Sequence, residues 1–223
     1  MPIAFVDLAQ TCASTVAAET LAGVVSLESR IEPFAIRINS GPSPSKQPAT
    51  KAEAIEIATS LVAEREDIQL GLGGLGLPEI EKLKLSISDA FDPCVNLQAT
   101  ATLLNGYYRL AVKAGADPKR AEQVMLQSWY GRDDPSLGAM VNYDEQVRQE
   151  VKRLGRSLAT LTIANGWQGT GPHEETTRAV PIEGAAHDPP ARETVSAPSW
   201  DVFNSRRRSS VLVFQNSQME QSE

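Results

Sequence analysis

The chain has 223 residues, of which 21 are basic and 28 acidic, for a formal net charge of -7. A hydrophobic fraction of 41% excludes wholesale disorder and supports at least one buried core, while the acidic balance argues against a nucleic-acid binder, which needs clustered Lys and Arg. Two Cys cannot build a Cys-rich zinc site, and two His (His173 and His187) argue against a His-based catalytic metal site, so no metal is predicted; no cofactor is expected either.

In chain order, residues 5–12 predict a short first helix, with Phe5, Leu8, Ala9 and Cys12 at helical spacing. The first residues lack a basic region followed by a long apolar stretch, so no secretory signal is predicted; that leaves a cytoplasmic protein, a start that is not the exported precursor, or another export route. A second helix is expected from Ser14 or Thr15 to about Ser29, with Pro33 just beyond its end. Three prolines among small polar residues make 40–50 a loop. Residues 51–65 are helical, with Ala54, Ile57, Ala58 and Leu61 as the apolar stripe. A short strand begins near Asp67 and runs into a glycine-rich loop ending at Gly76, and a short helix covers 77–83. Asp92-Pro93 opens a helix that Gly115 stops, and Asp117-Pro118 opens another that ends near Trp129. The last helix is expected over 142–161. Beyond Ile163 periodicity fades, and 164–223 reads as a largely disordered tail. No apolar run approaches the ~18 residues of a membrane span.

One acid stands out. Leu21, Val24 and Val25 lie at i, i+3 and i+4 of the second helix, and Glu28 at i+7 continues the same stripe. Partial burial and the negative helix C-terminus both disfavour a carboxylate, so both raise its pKa. A carboxyl group protonated near neutral pH suits a general acid. The plainer reading is a surface acid paired with Arg30 or Arg37.

The stretch from Leu27-Glu28-Ser29-Arg30 to Ile36 resembles the Glu-Ser motif of soluble-lytic-transglycosylase-like enzymes. It is most similar to the peptidoglycan-cleaving transglycosylases of type IV secretion systems, the VirB group. Leu8-Ala9-Gln10-Thr11-Cys12-Ala13, residues 70–76, the run Ala90-Phe91-Asp92-Pro93-Cys94-Val95-Asn96-Leu97 and Ser128-Trp129-Tyr130-Gly131 agree in order, and Trp200-Asp201-Val202-Phe203 is similar to a segment in the tails of some members.

The resemblance implies a mainly α (α+β) lysozyme-like domain over 1–163 with a small β-hairpin and loop region, followed by the flexible tail. It also implies a periplasmic enzyme that cleaves the β-1,4 bond between N-acetylmuramic acid and N-acetylglucosamine. Glu28 would protonate the leaving oxygen and then act as base on the muramoyl C6 hydroxyl, closing a 1,6-anhydro ring. Ser29 would orient Glu28 by hydrogen bonding, and Tyr130 would contact the acid or the sugar. The loop Gly71, Leu72, Gly73, Gly74, Leu75 would touch the glycan through its backbone, and Trp129 would offer an aromatic surface. Cys12 and Cys94 fall in two of the matching motifs and are expected to pair as a disulfide, with two buried free thiols as the alternative. Partners would be peptidoglycan strands and type IV secretion components.

The pattern departs from the family in the loop, where Gly74 stands in place of the usual Gln and Gly76 in place of the usual Asn. This favours a second reading, an assembly factor of the same fold that binds glycan or partners with weakened catalysis. The loop is also formally a G-x-G-x-x-G string, but Pro78 and the short helix after it disfavour dinucleotide binding. In the tail, Arg206-Arg207-Arg208 and the β-prone stretch 211–214 mark 199–215 as a candidate partner-binding segment. Tyr107 and Tyr108 are read as core and rim of their helix.

Overall fold

The computed structural model describes residues 3–163, apart from 40, 43 and 45. The expectations for His173, His187 and the segment 199–215 lie outside the described residues. The described region is mainly helical. α1 (Phe5–Cys12) buries Phe5, Leu8 and Ala9, and α2 (Ala18–Ser29) buries Leu21, Val24 and Val25. The second helix begins later than its composition suggests. Ala17 is extended and no side chain caps the start, so neither Ser14 nor Thr15 serves as N-cap.

The central α6 (Pro93–Lys113) and the following α7 (Pro118–Tyr130) start at the Asp-Pro signals. The carboxylates of Asp92 and Asp117 accept hydrogen bonds from first-turn amides. A third such signal, Asp134-Pro135, opens α8 (Pro135–Met140), a short helix that periodicity alone did not reveal. The single last helix expected over 142–161 is shorter: α9 runs Tyr143–Leu154 and stops at Gly155. A 3₁₀ turn, Leu158–Thr160, follows. The chain then forms β5 (Thr162–Ile163), a two-residue strand antiparallel to β1 (Ile3–Ala4) at the other end of the described chain.

A three-stranded antiparallel sheet positions the site. β2 (Ile36–Ile38) pairs with β3 (Ile68–Leu70), which pairs with β4 (Leu75–Gly76). Side chains alternate between the faces. Ile36, Ile68, Leu70 and Leu75 are buried on one face. Arg37, Gln69 and Gly76 form a cross-strand row on the other. α3 (Lys51–Ala63) packs on β3, while α4 (Leu77–Lys82) and α5 (Ile87–Ala90) lead into α6.

Two close approaches fix the frame. A Cβ on Gly23 would stand 2.8 Å from Val151 and 3.0 Å from Val147, so this glycine lets α2 and α9 pack tightly. Cys12 and Cys94 are bonded, with Cα atoms 5.3 Å apart, tying α1 to the start of α6. Among the described residues no helix is long and apolar enough to cross a membrane.

Candidate functional site

Glu28 sits in the last turn of α2, with only 5% of its side chain exposed. The chain turns away directly afterwards, with Arg30 and Ile31 at positive φ. Three side chains from distant segments meet at the carboxyl group. The Tyr143 hydroxyl, at the first residue of α9, donates to Oε1 at 2.5 Å. Arg37 Nη2 donates to Oε2 at 2.7 Å. The same nitrogen also donates to Gln69 Oε1 across the β2–β3 pair.

These neighbours pull the titration of Glu28 in opposite directions. Burial dominates and raises the pKa above its ordinary value, while the charge of Arg37, the Tyr143 hydroxyl and the more distant Arg132 lower it. Tyr143 is itself held protonated, by burial and by the adjacent carboxylate. The site therefore contains a shielded carboxyl with one neutral donor and one cationic donor. Such a group can release a proton and can take one back.

The acid opens onto two cavities. One, of about 420 Å³, is lined by Glu28, Arg37, Gln69, Gly74, Glu79, Tyr107, Trp129, Tyr130 and Arg132, among others. The other, of about 700 Å³, lies past Leu27 and Ser29 toward Pro44, Gln47 and Pro48. Both share Glu28, Arg37, Gln69 and Gly74, so the acid and the Arg37–Gln69 bridge stand where the two halves meet.

The sequence-based candidates are placed unevenly. Ser29 does not orient Glu28. Its buried hydroxyl donates to the Val25 carbonyl one turn back and accepts from the Ile31 amide, so it caps the helix end and makes no hydrogen bond to the carboxylate. Tyr130 lines the first cavity but is 45% exposed and stacks its ring against Tyr143 at 5.2 Å. The tyrosine that touches the acid is Tyr143, which sequence reasoning missed. Trp129 is nearly buried and presents part of its surface to the same cavity. Tyr107, read as a core residue, is buried and also borders that cavity; burial and Asp133 push its hydroxyl pKa up.

In the loop, Gly71 and Gly74 border the cleft, while Leu72 and Leu75 are fully buried and point into the core. Gly73 is also buried; its amide donates to Asn96 Oδ1 at 2.8 Å, and a Cβ there would collide with Thr100. Asn96 completes the clamp by donating to the carbonyls of Leu70 and Ala90. Of the five loop residues expected to contact glycan, Gly71 and Gly74 line the cavities. Among the described residues no group of three or more His, Cys, Asp and Glu is arranged to hold a metal.

A type IV secretion system protein virB1 of Brucella abortus is 37% identical over 110 residues, which cover 49% of this chain and 46% of that protein. The protein virB1 of Agrobacterium fabrum is 29% identical over 154 residues, 67% of this chain and 60% of that protein. The chain is homologous to proteins named VirB1. It spans about half the length of the Brucella relative. No family model matches the chain, and no solved structure does.

Proposed function

We propose that the chain is a lytic transglycosylase of a type IV secretion system. It would act in the periplasm on the β-1,4 bond between N-acetylmuramic acid and N-acetylglucosamine. The observation that carries the reading is Glu28, a carboxyl group whose pKa burial raises, bonded to Tyr143 and Arg37 at the centre of an open cleft. In the first step Glu28 protonates the leaving oxygen. The carboxylate left behind is stabilised by the Tyr143 hydroxyl and the Arg37 guanidinium. In the second step it takes the proton of the C6 hydroxyl, which closes the 1,6-anhydro ring. One carboxyl group serves both steps, and no water enters the product.

The VirB1 relatives support the assignment to secretion, and local opening of the cell wall for the secretion or conjugation apparatus is the role that fits. The domain would occupy 1–163, with 164–223 as a tail whose segment 199–215 contacts other components. A pulldown comparing the full chain with one ending near Ile163 tests that contact. Equal recovery of secretion components would count against a binding tail.

A second reading is favoured by Gly74 and Gly76, which replace polar residues usual in the resembled enzymes. It makes the chain an assembly factor that binds glycan with weakened catalysis. Digestion of purified sacculi by the protein and by Glu28→Gln separates the two. The enzymatic reading expects 1,6-anhydromuropeptides from the first sample alone. Their absence from both, under conditions where a related enzyme releases them, leaves the binding reading.

A further inference from the structure

The cleft wall beyond Gln69 holds a charged pair that makes no hydrogen bond to Glu28, although the charge of Arg132 is felt there. Gly76 is the cross-strand partner of Gln69, so a side chain at this position would extend the row on the sheet face. A Cβ there would collide with Arg132 Nη1 and stand 2.5 Å from Glu79 Oε2. The bare glycine leaves its place to a guanidinium and a carboxylate. Arg132 reaches this point from the turn after α7, where Arg132 and Asp133 have φ of 49° and 78°. Two consecutive non-glycine residues in the left-handed region are a costly arrangement of the kind that gathers at functional sites.

The pair is close but unsatisfied. Arg132 Nη1 lies 3.6 Å from Glu79 Oε2 and 3.8 Å from Asp67 Oδ1, beyond hydrogen-bond length. Glu79 Oε2 and Arg132 Nη2 are buried without a hydrogen-bond partner among the described residues. Charged groups are seldom left so, because their desolvation is then not offset. Both side chains line the first cavity beside Glu28, Trp129 and Tyr130.

The guanidinium only donates and the carboxylate only accepts. Arg132 keeps 27% of its side chain exposed and Glu79 14%, so a hydroxyl in the cavity can accept from the first and donate to the second. Sugar rings carry such hydroxyls on their edge and an apolar face that suits an aromatic wall. An anionic group fits less well, since Asp67 and Glu79 already flank the guanidinium. We infer that Glu79 and Arg132 form a sugar-hydroxyl subsite beside Glu28, holding one pyranose ring of the glycan against Trp129 and Tyr130. This rests on the glycan-cleaving function proposed above and assigns the residues that hold the chain rather than react with it.

Binding of glycan strands freed of peptides by an amidase tests the subsite. The strands are titrated into Glu28→Gln protein, which cannot turn them over, and into the same protein carrying Arg132→Met or Glu79→Gln. Arg132→Met is expected to weaken binding by about 10-fold or more and Glu79→Gln by about 5-fold, the scale of one lost charge-assisted hydrogen bond. Glu79→Gln keeps the side-chain shape and decides the matter if Arg132→Met fails to fold. Unchanged affinity in the folded variants, or no binding by the Glu28→Gln protein, overturns the subsite. Failure of the cleavage reading looks different. Strands would still bind, and bind less well after substitution at 79 or 132, while wild-type digests would contain no 1,6-anhydro products.

Discussion

Replacing Gly74 by Gln tests whether this glycine is a loss or an adaptation. The enzymes that the sequence resembles usually carry Gln here, so the sequence pattern alone expects Gly74→Gln to raise activity. The geometry gives the opposite sign. Gly74 has φ of +67°, a left-handed conformation that costs a residue with a Cβ about 1–2 kcal/mol. The new Cβ would stand 3.1 Å from Glu28 Oε2, 3.2 Å from Glu28 Cβ and 3.4 Å from Gln69 Oε1. The carboxylate would have to retreat from its place between Arg37 and Tyr143, and the rest of the side chain would compete with Gln69 for Arg37. Misplacing a reacting group on the 1 Å scale costs on the order of 100-fold in rate, so a smaller shift is expected to cost on the order of 10-fold.

Urea unfolding and the rate of 1,6-anhydromuropeptide release from sacculi measure the two effects. Gly74→Ala should show the stability loss of about 1–2 kcal/mol and a smaller loss of rate. The double variant Gly74→Gln/Gln69→Ala should recover part of the rate, because the space at Arg37 is vacated. A Gly74→Gln protein as stable as the wild type and faster would refute the reasoning. Gln69 would then have no share in positioning the acid.

Arg37→Met removes the largest influence that lowers the Glu28 pKa, and Tyr143→Phe removes the next. Both should carry the basic limb of the pH–rate profile to higher pH, since a general acid works while protonated; a limb that stays in place or moves down would contradict the assignment. Cys12→Ser/Cys94→Ser opens a covalent loop with a sequence separation of 82. Loop-closure entropy puts the stability loss at about 4.5 kcal/mol in a urea melt, and a loss under about 1 kcal/mol would argue against the bond. Because burial raises the Glu28 pKa above its ordinary 4.5, the folded state holds that proton more tightly than the unfolded chain does. Stability from this group is full below that value and is lost as pH rises through the folded pKa. Glu28→Gln should flatten that decline in urea melts taken from about pH 4 to about pH 8, and parallel wild-type and variant curves would count against it.

Glu28 was legible because one helix carries the whole signal. Three fully buried residues on its stripe force the acid inward, and no partner need be known. Arg37 appeared only as one of two possible partners, since choosing it over Arg30 requires knowing that the chain folds back as β2. Gln69 needed the β2–β3 register as well, which three-residue strands do not announce. Tyr143 lies 115 residues from Glu28, and its approach depends on α9 packing on Gly23. No local pattern encodes that contact. The helix α8 was a different kind of miss. Asp134-Pro135 repeats the start signal read correctly at Asp92-Pro93 and Asp117-Pro118, but six residues are too few to show a period.

Gly74 and Gly76 work as a pair. In the row Arg37–Gln69–Gly76, the sheet presents one cation and one amide and then an empty position that Arg132 and Glu79 occupy. Gly74, at the preceding turn, leaves room for Glu28 to meet Arg37. Beside the enzymes that the sequence resembles, each glycine is a missing polar side chain. Within the fold, each admits a charged side chain supplied by a different element. For the proposed reaction this matters most at Glu28. The carboxyl must be protonated in the first step and ionised in the second, so neither burial alone nor a cation alone would serve it. Burial raises its pKa, Arg37 and Tyr143 lower it, and the opposition of these effects suits a single group that acts first as acid and then as base.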